Sequence, residues 1–270
     1  SMSHPSLFLE KVALKVAFVD SDWNELDLEQ NRIDAMVSER LSGSRYILDI
    51  FGYCAYSALY EIADGGNLFS AIGSYDSDPD DGADKDIESD WEHWNSTRKI
   101  TLAHEVAAAV ADLHSIDAED ISSVVHGDLD PYQFVSTDKG KTYKLGDFNG
   151  AQLLFWHEED GSICNVSAAN SGGRFRSPEE VREDYVTEKV DIFNMGTIFY
   201  QILTGKLPFE DDTVTEAEEK FAAGDRPLIP VEYMDSEDVN DQAILRAMDL
   251  CWEEEPEERP TAGEIEELLL

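Results

Sequence analysis

Residues 191–204, Asp-Ile-Phe-Asn-Met-Gly-Thr-Ile-Phe-Tyr-Gln-Ile-Leu-Thr, constrain the fold most, because they are apolar on almost every side at helical spacing. A helix without a polar face is stable only when other elements surround it. Gly205 and Pro208 end it in the order that terminates helices. No apolar run in the chain approaches the roughly 20 residues that cross a bilayer. The helix must therefore be wrapped by others, and apolar periodicity predicts them at 100–115, 241–251 and 262–270.

The earlier part of the chain differs in kind. Residues 7–19, rich in Val, Leu and Phe, predict a strand, and 28–41 predict a helix on which Ile33, Val37 and Leu41 recur at fours. Two short strands are predicted over 46–52 and 55–62, closed by the turn signal Asp64-Gly65-Gly66-Asn67. With 270 residues and 42% hydrophobic content, the chain can bury a large core. The expectation is one α+β domain over 1–270, with a small strand-rich lobe over 7–63 and a larger helical lobe over 64–270. An acidic insertion over 73–97 interrupts it, and 76–92, with Pro79 and Gly82 and no apolar periodicity, reads as loop. Asp76, Asp78 and Asp80 invite a calcium-loop reading, but Asp81 and Ile87 stand where that loop needs Gly and Glu.

Fifty-nine acidic residues against 20 basic ones give a formal charge of −39. Nucleic acid and anionic membranes need positive potential, so neither is an expected partner; a basic protein is more compatible. Cys54, Cys164 and Cys251 are odd in number and widely spaced, which argues against a disulfide or zinc framework and favours a reducing, intracellular setting, while the lack of a membrane-length apolar run leads to the expectation of a soluble protein. The scattered histidines suggest no metal cluster. Ser1-Met2-Ser3 reads as a tag remnant, in which case the natural start lies outside this sequence.

Chemistry concentrates in His126-Gly127-Asp128-Leu129-Asp130-Pro131-Tyr132-Gln133-Phe134 and in the later Asp147-Phe148-Asn149. Phosphoryl transfer needs a cation on the phosphates, carboxylates to hold magnesium, and a carboxylate beside the attacking hydroxyl. Lys15, Asp147 and Asp128 could supply these in that order. The two loops resemble the H-R-D-L-x-x-x-N and D-F-G motifs of protein kinases. Ser177-Pro178-Glu179 resembles A-P-E, Asp191 the buried Asp of a long central helix, and Cys251-Trp252 with Arg259-Pro260 the closing C-W…R-P of that family. The chain is thus identified as a member of the protein-kinase superfamily from Leu7 onward.

The resemblance implies a two-lobed fold, ATP and Mg2+ as ligands, and a protein substrate. It implies that Ala13 and Val135 enclose adenine, that the backbone of Glu61-Ile62-Ala63 binds its edge, and that Tyr60 is a bulky gatekeeper. By the same carry-over Lys15 holds phosphates, Asp147 and Gln133 hold magnesium, Asp128 meets the hydroxyl, and Glu179 pairs with Arg259 inside the helical lobe. The segment 147–179 then corresponds to the activation segment, with Ser162, Ser167 and Ser171 as candidate phosphosites.

Several positions depart from the pattern. Gly127 replaces an Arg, Asp130 a Lys, Gln133 an Asn and Asn149 a Gly. Asn149 is expected to take the left-handed turn that Gly would take. Asp34 stands where a Glu pairs with the strand lysine; being shorter it is expected to fall short of Lys15, with Glu39 as the fallback. Only fourteen residues, none of them Gly, precede Lys15, so the first strands and the glycine-rich phosphate loop are expected to be missing or truncated. Arg174 and Arg176 fall where an acidic substrate residue could dock, with local salt bridging as the other reading. Two functions follow: a divergent protein kinase transferring phosphate from Mg-ATP to Ser or Thr, or a pseudokinase acting as a binding module or scaffold. A small-molecule kinase on the same fold is a third reading, disfavoured by the A-P-E-like segment and the closing R-P.

Overall fold

The computed structural model describes residues 11–16, 25–73, 91–118, 121–157, 163–164, 166–167 and 172–270, with 25–27 as backbone only. Most of the acidic insertion, Ser162, Ser171 and the flanks of the first expected strand lie outside these residues. The described chain forms a small antiparallel sheet carrying one long helix, set against a larger helical part.

The sheet has strand order β1-β3-β2, from β1 (Val12–Val16), β2 (Ile50–Cys54) and β3 (Ser57–Glu61). Alternation along β1 and β3 turns Ala13, Lys15, Ala58 and Tyr60 to one face, where Ala58 and Tyr60 are buried. Against that face lies α1 (Glu25–Leu41), whose Ala35 packs with Ile50, Ala58 and Tyr60. The β2–β3 turn is tighter and later than expected, with Ala55 at φ 51. Tyr46 to Leu48, expected in β2, instead bind the helical part: Leu48 N–H donates to Leu145 O at 2.9 Å and Leu145 N–H to Tyr46 O at 2.8 Å. Apolar residues suited to a strand are used here to join the lobes.

In the helical part the expected all-apolar helix spans Lys189–Thr204, and every residue from Val190 to Thr204 is buried. Gly196 allows the helix Val239–Cys251 to approach closely, since a Cβ there would sit 2.6 Å from Cys251 Cβ. Helix α2 (Leu68–Ile72) and α3 (Ser96–His114) add further walls to the same core. Arg259, 1% exposed, grips Glu179 with two bonds of 2.6 and 3.1 Å, as the resemblance implied.

The loop expected over 76–92 and the insertion over 73–97 are corrected at their far end. Trp91–His93 form a 3-10 turn, Asn95 caps α3 by accepting from Arg98 N, and Trp91 Nε1 donates to Ile202 O at 2.9 Å. The indole lies so close to Gly205 that a Cβ there would be 2.7 Å from the ring. One aromatic side chain thus pins the segment leading into α3 to the end of the central helix.

Candidate active site

Between the sheet and the helical part lies a cavity of about 310 Å³. It is lined by Ala13, Lys15, Glu61, Ala63, Val135, Gln133 and Asp147, together with Tyr60, Leu48 and Gly146. Every nucleotide- and metal-binding residue expected from sequence therefore meets at one opening, although they come from positions 13 to 147. Val135 arrives on the hairpin of Phe134–Ser136 with Tyr143–Leu145, to which the Tyr46–Leu48 segment is tethered through Leu145.

Lys15 bridges two carboxylates, Asp34 Oδ2 at 2.9 Å and Asp147 Oδ1 at 2.5 Å. Burial alone would lower the Lys15 pKa, but the charges of Asp34 and then Asp147 outweigh it and hold the ammonium above its usual range. The expectation that Asp34 falls short is thus corrected: α1 sits close enough to the sheet for the shorter acid to reach. Glu39 is not the partner; its carboxylate accepts from Tyr53 OH at 3.4 Å.

Asp34 is only 3% exposed and takes two more donors, Tyr60 OH at 3.0 Å and Phe148 N–H at 2.9 Å. Burial, then the Asp34 charge, pushes the Tyr60 phenol above its ordinary pKa, so it remains a donor. The gatekeeper position therefore helps hold the acid as well as closing the cavity. One buried carboxylate ties together the strand lysine, the sheet and the Asp147 loop.

At that loop Asp147 itself is left-handed, with φ 57 and ψ 64, and Phe148–Gly150 make a 3-10 turn. The left-handed residue expected at Asn149 is thus two positions earlier, and Asp tolerates it for the same reason Asn would. Gly127, in the place of an Arg, has φ 70, and a Cβ there would meet Gly150 O at 2.9 Å. The backbone of the catalytic-loop region is held by Asp191, which accepts from His126 N at 2.8 Å, Gly127 N at 3.2 Å and binds His114 Nε2 at 2.9 Å.

Asp128 does not line the cavity but is held at both oxygens: Gln133 Nε2 donates to Oδ2 at 3.1 Å, and Arg176 Nη2 pairs with Oδ1. Asp130 caps the following turn through Tyr132 N at 2.8 Å. Its pKa is pushed up to about 7 by burial and then by Asp128, with Arg176 pulling the other way. Of the two readings of the arginines, docking and local pairing, the local bonds are seen for both side chains. Arg174 is buried and donates to Phe209 O and Asp212 O at 2.8 and 2.6 Å, and Arg176 is committed to Asp128.

The model of the protein kinase domain family matches residues 10–268. The chain belongs to the protein kinase family. This kinase domain is 29% identical over 165 residues to a probable serine/threonine-protein kinase of Dictyostelium discoideum, a match covering 61% of the chain and 16% of that protein. It is 26% identical over 166 residues to Serine/threonine-protein kinase 12 of Arabidopsis thaliana, covering 62% of the chain and 34% of the relative. To U-box domain-containing protein 33 of the same plant it is 25% identical over 265 residues, 94% of the chain and 28% of the relative. The matched region is thus a third or less of most of these relatives' own length. Among the described residues of the kinase domain, no helix is long and apolar enough to cross a membrane.

Proposed function

We propose that this domain transfers the γ-phosphoryl group of Mg-ATP to a Ser or Thr hydroxyl of a protein. The observation that carries the reading is Lys15, bridged between Asp34 and Asp147 at the edge of the 310 Å³ cavity. A buried acid that orients a lysine toward phosphates, beside a second acid exposed enough to take a metal, is the arrangement such chemistry needs.

The residues present fit the ligands. Ala13 and Val135 offer apolar walls, and Glu61, Ile62 and Ala63 line the same cavity, where their backbone would meet a purine edge. Asp147, with its side chain 45% exposed, and the Gln133 amide oxygen supply the hard oxygen donors magnesium prefers. Because Gln133 spends its Nε2 on Asp128, its Oε1 is the atom left for a metal. When bound, magnesium would neutralise charge developing on the transferring group. Lys15 would hold the phosphates, and Asp128, kept in place by Gln133, would orient the acceptor hydroxyl and take its proton. The alternative, a domain that binds nucleotide without turnover, draws on the ion pair that already occupies one oxygen of Asp128.

Melting temperature with and without Mg-ATP tests the nucleotide half of the reading. Saturation at a hundred times Kd adds about 2.7 kcal/mol, a rise of about 5 °C for a chain of this size. Lys15→Met removes that rise. No shift at millimolar Mg-ATP would sink the proposal, and a full shift in Lys15→Met would show that the lysine has another role.

A further inference from the structure

Position 130 raises an electrostatic difficulty for the proposed transfer. Asp130 stands next to Asp128 with no positive side chain on its own loop, and both carboxylates would repel an incoming phosphate. Glu180 adds a third, 3.9 Å from the Arg176 guanidinium. Arg176 sits among all three and is 4% exposed. Burial works against its charge, but Glu180 and then Asp128 keep the guanidinium firmly protonated.

The segment bearing Arg176 is anchored on both sides. Upstream, Gly173 N–H donates to Glu218 at 2.6 Å and Arg174 grips the backbone of Phe209 and Asp212. Downstream, Ser177 caps the next helix in a capping box with Glu180. Gly173, at φ 149, adopts a backbone that side chains rarely take, and it lies beside the guanidinium, where a Cβ would be in ordinary contact with Arg176 Nε at 3.7 Å. Among the described residues, Nε and Nη1 have no hydrogen-bond partner. The side chain's directed bond therefore goes to Asp128, opposite the one from Gln133. Two donors on two oxygens fix the plane of that carboxylate.

We propose that Arg176 is the positioning residue for Asp128: from the activation segment it replaces the cation absent at position 130, orienting the carboxylate toward the acceptor and offsetting the negative charge around it. The inference rests on the reading under Proposed function. In the transfer, the hydroxyl oxygen bonds to the γ-phosphorus as the bond to the β–γ bridging oxygen breaks. That electron pair leaves with ADP, and the hydroxyl proton passes to Asp128 and then to solvent. Arg176 acts only by holding Asp128 and its charge.

The test relocates the charge. With radiolabelled ATP and myelin basic protein as acceptor, Arg176→Gln is expected to lower kcat about 100-fold, the scale of a misplaced catalytic group, with KM for ATP little changed. The double variant Asp130→Lys/Arg176→Gln, with a cation restored on the loop, should recover at least tenfold of the loss. A binding readout stands beside it. Mg-ADP should raise the melting temperature of wild type and Arg176→Gln alike, whereas the extra rise on adding aluminium fluoride, which mimics the transferring phosphoryl, should be lost in the single variant and return in the double. If Arg176→Gln does not fold, the double variant against wild type decides: rates within tenfold support the inference. Equal rates in wild type and Arg176→Gln, a retained aluminium fluoride increment, or a double variant no faster than the single overturn it. A wild type that binds Mg-ADP yet transfers nothing defeats the parent reading, and this one with it.

Discussion

Replacing Asp34 with Ala probes the contact that joins the sheet, the long helix and the Asp147 loop. The N–H of fully buried Phe148 loses its acceptor, and the Tyr60 hydroxyl, on a residue 6% exposed, loses its 3.0 Å acceptor and is left with the Ser38 hydroxyl at 3.5 Å. Each orphaned buried donor costs about 1–3 kcal/mol. The Lys15 side chain is 37% exposed and keeps Asp147, so its lost pair is screened and adds little. Truncation also opens space for a water, which places the total near the lower half of the range, about 3 kcal/mol. For 270 residues, that lowers the melting temperature by about 5 °C. Scanning calorimetry on Asp34→Ala, Tyr60→Phe and the pair completes a double-mutant cycle. Tyr60→Phe should cost about 1 kcal/mol in wild type and almost nothing once Asp34 is gone. Additive losses, or an Asp34→Ala protein melting within a degree of wild type, would refute the three-donor account.

Other outcomes follow from the same reasoning. Arg259→Ala strands the buried Glu179 carboxylate and removes bonds to the backbone at Lys189, Glu253 and Glu254. It should cost about 3–5 kcal/mol by urea titration; a loss under 1 kcal/mol would show that the pair is dispensable. Glu105, 5% exposed, has its pKa raised from 4.5 to about 7 by burial, with Tyr143 N–H, Arg98 and Arg45 pulling it down and the Asp138 charge adding to the rise. Between those values the folded chain binds more protons than the unfolded one, so this group lowers stability as pH rises through about 4.5 to 7. Glu105→Gln keeps an acceptor for Tyr143 N–H and should flatten the curve of stability against pH, gaining on wild type above neutrality; parallel curves would rule the assignment out. Gly205→Ala combines φ 71 with a Cβ 2.7 Å from the Trp91 ring. It should destabilise by at least about 1 kcal/mol, and a neutral result would mean that Trp91 is not seated on the central helix.

The central helix was legible because its burial on all sides leaves a one-dimensional signal: apolar residues at every helical phase. The cavity lining was legible for another reason, since Ala13, Lys15, Val135 and Asp147 each lie in a motif with fixed local spacing. Strand ends around residues 46–55 were not, because Ile47 and Leu48 suit a hairpin and an inter-lobe bridge equally well, and tertiary pairing with Leu145 decides. Trp91 gave no periodic signal, being a single anchor in an acidic stretch. The reach of Asp34 depends on how closely α1 settles on the sheet, which residue identity does not encode. Arg176 and Asp128 lie 48 positions apart, so their pairing leaves no mark in the spacing of either motif. The left-handed turn lies at Asp147 and not at Asn149, a choice that residue type leaves open because Asp and Asn both tolerate that backbone.

The most direct test of the proposed phosphoryl transfer is incorporation of radiolabelled γ-phosphate into a protein acceptor, comparing wild type with Asp128→Asn. Asn keeps the shape at Asp128 but neither accepts the hydroxyl proton nor pairs with Arg176 as a charge. The account predicts label on serine or threonine with wild type, and a fall of at least about 100-fold with Asp128→Asn while the Mg-ATP melting shift persists. Equal incorporation by both proteins, or none by a wild type that binds Mg-ATP, would contradict it.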